Sequence, residues 1–278
     1  MTLILNSFPE IPNQCATVVD ILRYRSLKTP HTQAFTFLED GETIELTLTY
    51  HELDRRSRAI AAKLQTLGLS GERAILLYPS GLDYLSAFFG CLYAGVVAVP
   101  AYPPRNGRKT ARIQAISTDA QARVALTTTA MLPTLQSILT EQTNIGNCRW
   151  LTTDNLAQGL EDSWQQPEIN ADTLAFLQYT SGSTGTPKGV MLSHGNLLHN
   201  AAVTYQLMEH SSSSKFVSWL PVYHDMGLIG GILQPLYGGF GCILMSPPSF
   251  LQRPYRWLQA ISSYKGTKIV VKNFAYEK

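Results

Sequence analysis

The sequence predicts an α/β fold of mixed, mostly parallel sheets flanked by helices. Along most of its 278 residues, short apolar segments rich in β-branched residues alternate with longer segments of helical pattern. Strands that are separated by helices imply βαβ units and therefore a mostly parallel sheet. The hydrophobic content of 45% is typical of a globular chain that buries a substantial core.

Two features near the N-terminus predict local structure. Residues 34–39 and 42–49 have the pattern of strands, and the Asp40-Gly41 pair between them favours a hairpin with a two-residue type I′ turn. Thr49 and Glu52 have the spacing of a capping box, so we expect a helix to begin there.

Residues 84–104 carry no charge and are long enough to span a bilayer. Gly90, Gly95 and Pro100 interrupt this stretch, and residues 96–99 are mostly β-branched. We therefore interpret it as a helix, a glycine turn and a buried strand, because parallel strands covered on both faces have such sequences.

Charge and cysteine usage restrict the partners and the compartment. Lys and Arg number 22 against 20 Asp and Glu, so the net charge of +2 provides no basis for binding nucleic acid or an anionic membrane. The four cysteines form no C-x-x-C pair, so neither a zinc site nor a redox pair is expected. Scattered thiols and the lack of a signal-peptide pattern favour the cytoplasm. One helix carries charged residues that we interpret as a solvated face: Asp54, Arg55, Arg56 and Lys63.

The most informative stretch is TSGSTGTPKG at residues 180–189, which lies between two β-type segments. Its glycines allow sharp turns and close approach to a ligand. Its hydroxyls and the ammonium of Lys188 supply donors for anionic oxygens. The spacing excludes a Walker A loop and a G-x-G-x-x-G fingerprint. An ordinary surface loop is the alternative, but it does not explain why strands adjoin the stretch on both sides.

This stretch resembles the signature of the adenylate-forming superfamily, which includes acyl-CoA synthetases, nonribosomal peptide adenylation domains and luciferases. Three further runs are similar to fatty acyl-AMP ligases in particular: VPAYPP at 99–104, SWLPVYHDMGLIGG at 218–231 and SPPSFLQRP at 246–254. The resemblance identifies the chain as the partial N-terminal region of such an enzyme.

The resemblance implies that ATP activates a fatty acid, giving an acyl-adenylate and pyrophosphate. The acyl group then passes to an acyl carrier protein, alone or in a polyketide synthase module. His224 and Lys188 are the catalytic candidates. Asp225 is a candidate to orient His224, and Gly230 and Gly231 to allow close approach to an acyl tunnel. The resemblance assigns the phosphates of ATP to Thr180, Ser181, Gly182, Ser183, Thr184, Gly185, Thr186 and Lys188.

ATP is expected to carry Mg²⁺, but the family's magnesium carboxylate lies in motifs beyond the end of this chain. So do its adenine and ribose contacts and the catalytic lysine of its C-terminal lid domain. We therefore expect no metal ligand here and little adenylation by the chain alone. Val270-Val271-Lys272 replaces a Gly-Gly-Pro-type turn of these ligases, so the turn and the acyl pocket wall are expected to differ.

The pattern suggests two α/β subdomains. Residues 1–160 carry the N-terminal helix and hairpin, residues 161–278 carry the phosphate loop, and residues 156–172 read as a linker between them. Two alternatives in function stay open. One is an acyl-CoA ligase, which lacks an insertion that also lies downstream in the family; the other is a non-catalytic protein that binds nucleotide or acyl groups.

Overall fold

The chain forms two compact units that are interleaved in sequence. The computed structural model describes residues 9, 11–12, 14–104, 110–139, 145, 148–180, 187–271, 273 and 275. The first unit consists of residues 1–52, 80–82 and 195–278, and the second of residues 53–79 and 83–194. The subdomain boundary suggested at residue 160 therefore differs from this division, because it lies inside the second unit.

Helices and strands alternate along the described residues, as the sequence predicts. The helices are α1 (Val18–Lys28), α2 (Tyr50–Thr66), α3 (Leu82–Tyr93), α4 (Thr110–Asp119), α5 (Leu132–Leu139), α6 (His194–Leu207), α7 (Gln234–Gly238), α8 (Pro247–Gln252) and α9 (Tyr255–Tyr264). The strands are β1 (Gln33–Leu38), β2 (Glu45–Thr49), β3 (Arg73–Leu77), β4 (Val97–Ala101), β5 (Val124–Thr127), β6 (Arg149–Thr152), β7 (Leu174–Thr180), β8 (Lys188–Ser193), β9 (Lys215–Ser218) and β10 (Gly241–Met245). A 3₁₀-helix (Leu160–Ser163) and a π-helix (Met226–Leu233) complete the regular structure.

The first unit is built on a four-stranded sheet in the order β2-β1-β10-β9. Strand β1 pairs antiparallel with β2 and parallel with β10, which pairs parallel with β9. A buried cluster joins the sheet to α8 and α9, and it includes Leu38, Trp219, Met245, Phe250 and Trp257.

The predicted hairpin is present, but the prediction of a two-residue turn is wrong. Strands β1 and β2 are antiparallel partners, and residues 39–44 connect them. One carboxylate oxygen of Asp40 accepts the backbone N–H groups of Glu42 and Thr43, both at 2.9 Å, and of Ile44 at 3.0 Å. These bonds hold the pKa of Asp40 well below its usual range. The side chain thus supports a longer loop, which the Asp-Gly pair alone does not indicate.

The predicted capping box at the start of α2 is confirmed. The backbone N–H of Thr49 donates to Glu52 Oε2 at 2.8 Å, and the N–H of Glu52 donates to Thr49 Oγ1 at 3.2 Å. Helix α1 begins with the same device, formed by Thr17 and Asp20. Both helices therefore begin where side chains satisfy N–H groups that have no partner inside the helix.

The second unit contains a six-stranded sheet in the order β6-β5-β3-β4-β7-β8. Its first five strands are parallel, and β8 is antiparallel to β7. Every residue of β4 and β5 is buried, as expected of strands covered on both faces. Two sheets with flanking helices confirm the predicted fold class.

The uncharged stretch forms the predicted helix, turn and buried strand. Helix α3 is followed by a turn at Gly95, whose φ is +66°, and then by strand β4. Among the residues that the structure describes, no helix combines the length and the apolar character needed to cross a membrane.

Residues 156–172 pack on the second unit instead of linking two subdomains. The indole N–H of Trp164 donates to the carbonyl of Tyr93 at 2.8 Å. Gln65 and Gln165 exchange two hydrogen bonds, at 2.7 and 3.1 Å. Because the segment packs through hydrogen bonds of polar groups, its composition resembles that of a linker although it is attached to the second unit.

One residue of the supposed solvated face is buried. Asp54 is only 3% exposed, and it accepts bonds from Tyr93 Oη and Arg58 Nε, both at 2.8 Å. The interpretation was wrong for Asp54 because its neighbours neutralise and hydrogen-bond the carboxylate, which permits burial. Arg55 and Arg56 do lie at the surface, where they form ion pairs with Glu161 and Asp83.

Candidate functional site

The second unit presents two of the predicted site residues at the end of a strand pair. Strands β7 and β8 are antiparallel, and their last pairs are Tyr179 with Gly189 and Thr180 with Lys188. The sequence predicts a β-type segment on each side of residues 180–189, and the structure pairs these two strands as a hairpin. Six predicted phosphate ligands lie outside the described residues: Ser181, Gly182, Ser183, Thr184, Gly185 and Thr186.

Thr180 and Lys188 are both exposed at the mouth of this hairpin. Within the described part of the chain, no hydrogen bond or ion pair engages the ammonium group of Lys188. A hydroxyl and a free ammonium on paired residues form a donor set that suits phosphate oxygens. The structure therefore brings these two residues together as the sequence predicts.

The first unit presents the other predicted residues in one irregular segment, residues 218–233. Strand β9 ends at Ser218, whose Oγ accepts the backbone N–H of Leu220 at 3.1 Å. A tight turn follows, in which the N–H of His224 donates to the carbonyl of Pro221 at 3.1 Å. Residues 219, 220 and 222 are buried apolar anchors, whereas His224 and Asp225 are exposed. The anchored turn thus presents two polar side chains at the surface.

Asp225 begins the π-helix that ends at Leu233. Its carboxylate accepts the backbone N–H of Met226 at 2.7 Å. This contact assigns Asp225 a capping role, and the carbonyl of His224 accepts the N–H of Leu228 at 2.8 Å in the same first turn. π-Helices are rare and occur frequently at functional sites. The sequence pattern does not predict this helix.

The glycines of the π-helix differ in how much space surrounds them. A Cβ atom on Gly227 would overlap the carbonyl oxygen of Pro221 and lie 2.7 Å from its carbonyl carbon. A Cβ on Gly230 would meet nothing within 4 Å, and one on Gly231 would meet Ser218 at 3.8 Å. The close approach between backbone segments is therefore at Gly227, where it was not expected, whereas Gly230 borders open space.

A thiol hydrogen bond stabilises the centre of the π-helix. Cys242 in β10 donates from Sγ to the carbonyl of Gly231 at 3.1 Å. Burial raises the pKa of the Cys242 thiol, so the sulfur keeps its proton and remains a donor. This bond satisfies a buried carbonyl in a helix whose hydrogen-bond pattern is irregular.

The described residues contain no group of three His, Cys, Asp or Glu side chains placed to hold a metal ion. Val271, from the run that replaces the glycine turn, is partly buried and packs against the hydrophobic cluster of the first unit. Lys272 lies outside the described residues. The expected change in the acyl pocket wall therefore stays a prediction.

A sequence model for AMP-binding enzymes matches residues 22–276. The chain belongs to the AMP-binding enzyme family. It is 47% identical over 266 residues to the medium-chain-fatty-acid–acyl-carrier-protein ligase JamA of Moorena producens (strain JHB), with 94% of this chain and 45% of JamA covered. It is 37% identical over 257 residues to the long-chain-fatty-acid–AMP ligase FadD23 of Mycobacterium tuberculosis (strain CDC 1551 / Oshkosh), with 89% of this chain and 44% of FadD23 covered.

Among solved structures, the fatty acyl-adenylate ligase from L. pneumophila in complex with acyl adenylate and pyrophosphate matches with a TM-score of 0.90 and 41% identity. The match covers 98% of this chain and 47% of that chain. These similarities confirm the predicted relation to fatty acyl-AMP ligases. The chain spans about half the length of the curated relatives it matches.

Proposed function

We propose that the chain forms part of a ligase that activates a fatty acid with ATP, giving an acyl-adenylate and pyrophosphate. One observation carries the proposal: the backbone follows that of a fatty acyl-adenylate ligase determined with acyl adenylate and pyrophosphate, with a TM-score of 0.90 over 98% of the chain. At 41% identity, the likeness extends to sequence as well as fold.

Lys188 and Thr180 are assigned to the phosphates of ATP, together with the loop residues between them. The attack of a carboxylate on the α-phosphate develops negative charge on the phosphate oxygens. An ammonium at the mouth of the hairpin offsets that charge, and fixed donors do so with little reorganisation. The exposed position of Lys188 and its freedom from described partners support this role.

His224 is assigned to the acyl carboxylate and the α-phosphate. Its support is the anchored turn, which presents the imidazole at the surface next to the π-helix. Asp225 acts on the helix rather than on the imidazole in this assignment, since its carboxylate caps Met226. The open space at Gly230 and the looser packing at Gly231 fit a position beside an acyl group.

Mg²⁺ is assigned to the phosphates of ATP rather than to this chain. Magnesium is usually held by one or two carboxylates together with substrate phosphates. Among the described residues, the hairpin mouth offers the Thr180 hydroxyl and the Lys188 ammonium, neither of which supplies the charged oxygen of a carboxylate. The ion would neutralise phosphate charge during the reaction.

An acyl carrier protein is the proposed acceptor, alone or within a polyketide synthase module. JamA, at 47% identity, is described as acting on an acyl carrier protein. A coenzyme A ligase is the second candidate, because FadD21 of Mycobacterium tuberculosis, at 37% identity, is described as a putative fatty-acid–CoA ligase. The higher identity to JamA favours the carrier protein. A cytoplasmic location stays a prediction.

Fatty-acid-dependent exchange of pyrophosphate into ATP tests the proposal. We expect little exchange by the chain alone, and clear exchange by a folded chimera in which it replaces the matching residues of JamA. In that chimera, Lys188→Ala and His224→Ala should each lower exchange about 100-fold. Lys63→Ala and His31→Ala serve as charge-matched controls.

Transfer of the acyl group to a carrier protein or to coenzyme A then separates the two acceptors. A folded chimera that binds ATP or fatty acid without exchange would contradict the ligase proposal and favour a non-catalytic binding protein. Equal losses in the control variants would contradict the assignments of Lys188 and His224.

A further inference from the structure

The side chain of Tyr179, a buried residue of β7, lies over strand β8 next to the stretch between Thr180 and Lys188 that is predicted to bind phosphate. Tyr179 is 4% exposed and pairs in register with Gly189. A Cβ atom on Gly189 would lie 2.9 Å from Cζ and 3.1 Å from Oη of Tyr179, so the ring lies directly over the glycine. Any side chain at position 189 would displace the ring.

The tyrosine hydroxyl is held by the last residue of helix α4. Tyr179 Oη donates to Asp119 Oδ2 at 2.5 Å. Burial, together with this hydrogen bond, raises the pKa of Tyr179, so the hydroxyl retains the proton that it donates. The ring is therefore fixed at both ends, by its strand and by the helix.

The end of α4 is in turn fixed to the interior of the sheet. Arg73 in β3 donates from Nε to the carbonyl of Ala120 at 2.9 Å, and from Nη2 to the carbonyl of Gln121 at 3.2 Å. Gln121 has a left-handed φ of 51°, which ends the helix. Asp119 is consequently a rigid acceptor, because the backbone immediately after it is bound to a central strand.

The register of β7 against β8 decides which way Lys188 faces. Side chains alternate between the two faces of a strand. Tyr179 and Gly189 face α4, so the next pair, Thr180 and Lys188, faces the opposite side. If β8 slipped by one residue against β7, each of its side chains would move to the opposite face of the sheet. Register does shift at the far end of this strand pair, between Leu174 and Phe176.

We propose that Tyr179, Asp119 and Gly189 form a register lock that orients Thr180 and Lys188 toward the phosphates of ATP. The inference rests on the proposed function, because it takes the loop between Thr180 and Lys188 to bind phosphate. The three residues are positioning residues, since they act through the next pair along the strands. Fixing the register at the loop end prevents the irregularity at the other end from spreading.

Tyr179→Phe and Tyr78→Phe test the lock in the full chain. Tyr78 is also buried in the second unit, where its hydroxyl forms a 2.8 Å hydrogen bond with Thr153. Both variants lose one part-buried hydrogen bond of a tyrosine hydroxyl, so we expect the thermal midpoint to fall in both. Only Tyr179→Phe should weaken binding of MgATP, by about five- to tenfold in calorimetric titration. It alone should speed hydrogen–deuterium exchange in peptides covering residues 187–193.

Two variants at Asp119 separate the hydrogen bond from the charge. Asp119→Asn keeps an acceptor oxygen, so ATP affinity should stay within about twofold of wild type. Asp119→Ala removes the acceptor and should match Tyr179→Phe. The double variant, Tyr179→Phe with Asp119→Ala, should be no weaker than either single variant, because both remove one interaction.

The lock is overturned if Tyr179→Phe binds MgATP as wild type does, or if Tyr78→Phe weakens binding equally. Additive losses in the double variant also contradict it. If the wild-type chain binds no MgATP, the titrations are made in the JamA chimera, and a folded chimera that binds no MgATP counts against the phosphate role of the loop. Exchange over residues 187–193 still decides the lock in that case, since equal protection in the two phenylalanine variants overturns it.

Discussion

The β7–β8 hairpin and the 218–233 segment both carry residues proposed to handle substrate, yet they are built differently. The hairpin consists of two strands paired in register from Phe176 to Thr180, and its site residues, Thr180 and Lys188, form the last pair. The 218–233 segment has a buried turn, a capped start and a π-helix whose shape depends on a few contacts. Strand periodicity thus decides which face of the sheet a hairpin residue occupies, whereas the position of a residue in the 218–233 segment depends throughout on contacts between particular atoms.

This difference explains what the sequence predicts in each region. Apolar, β-prone residues predict the two strands that flank the glycine-rich stretch, but their antiparallel pairing was not predicted. A π-helix uses the same residue types as an α-helix, so composition does not distinguish them. The glycines of the 218–233 segment indicate that some position there lacks room for a side chain. Residue identity alone does not show that a side chain at position 227 would overlap backbone, whereas one at position 230 would enter open space.

The remaining errors have a similar origin. The Asp40 turn and the packed 156–172 segment both depend on polar side chains that bond to backbone at a particular distance. Sequence patterns report which residues prefer water but not which polar groups find a partner inside the fold. Elements defined by periodicity were predicted, and so was the capping box, whose residues have a fixed spacing. The hydrogen bonds of the Asp40 loop and of the 156–172 segment have no such spacing and were not predicted.

Gly227→Ala should have the largest effect on stability. Its methyl group would overlap the Pro221 carbonyl oxygen, and neither backbone can move without breaking the anchored turn. We expect a loss of about 4 kcal/mol or more, or no folded protein. Urea denaturation followed by circular dichroism measures it. Gly230→Ala is the matched control, because its methyl group meets nothing within 4 Å and should change stability by no more than about 1 kcal/mol.

Equal effects of these two variants would show that the turn yields and that the close approach at Gly227 is not required. A large effect of Gly230→Ala alone would mean that the open space beside the π-helix is occupied in solution. Either result would remove the contrast between the two glycines on which the description of the segment depends.

Gly189→Ala should have an intermediate effect on stability. The variant allows the hairpin to be compared directly with the 218–233 segment. Its methyl group would lie 2.9 Å from the end of the Tyr179 side chain rather than against backbone. A ring can tilt by a few tenths of an ångström, so we expect a loss of about 1–3 kcal/mol. The measurement is again urea denaturation. A loss as large as that of Gly227→Ala would mean that the hairpin is as rigid as the 218–233 segment.

Cys242→Ala should have the smallest effect, and Cys91→Ala isolates its cause. Both thiols are fully buried, so both substitutions remove the same volume from the interior. The Cys242 thiol also donates to the Gly231 carbonyl at 3.1 Å, whereas no hydrogen bond to the Cys91 thiol is found among the described residues. Cys242→Ala should therefore cost about 1 kcal/mol more than Cys91→Ala in urea denaturation, because it leaves a buried carbonyl without a donor. Equal losses would mean that the thiol contributes packing alone, and the π-helix would then be stabilised by its Asp225 cap and its fit around Gly227.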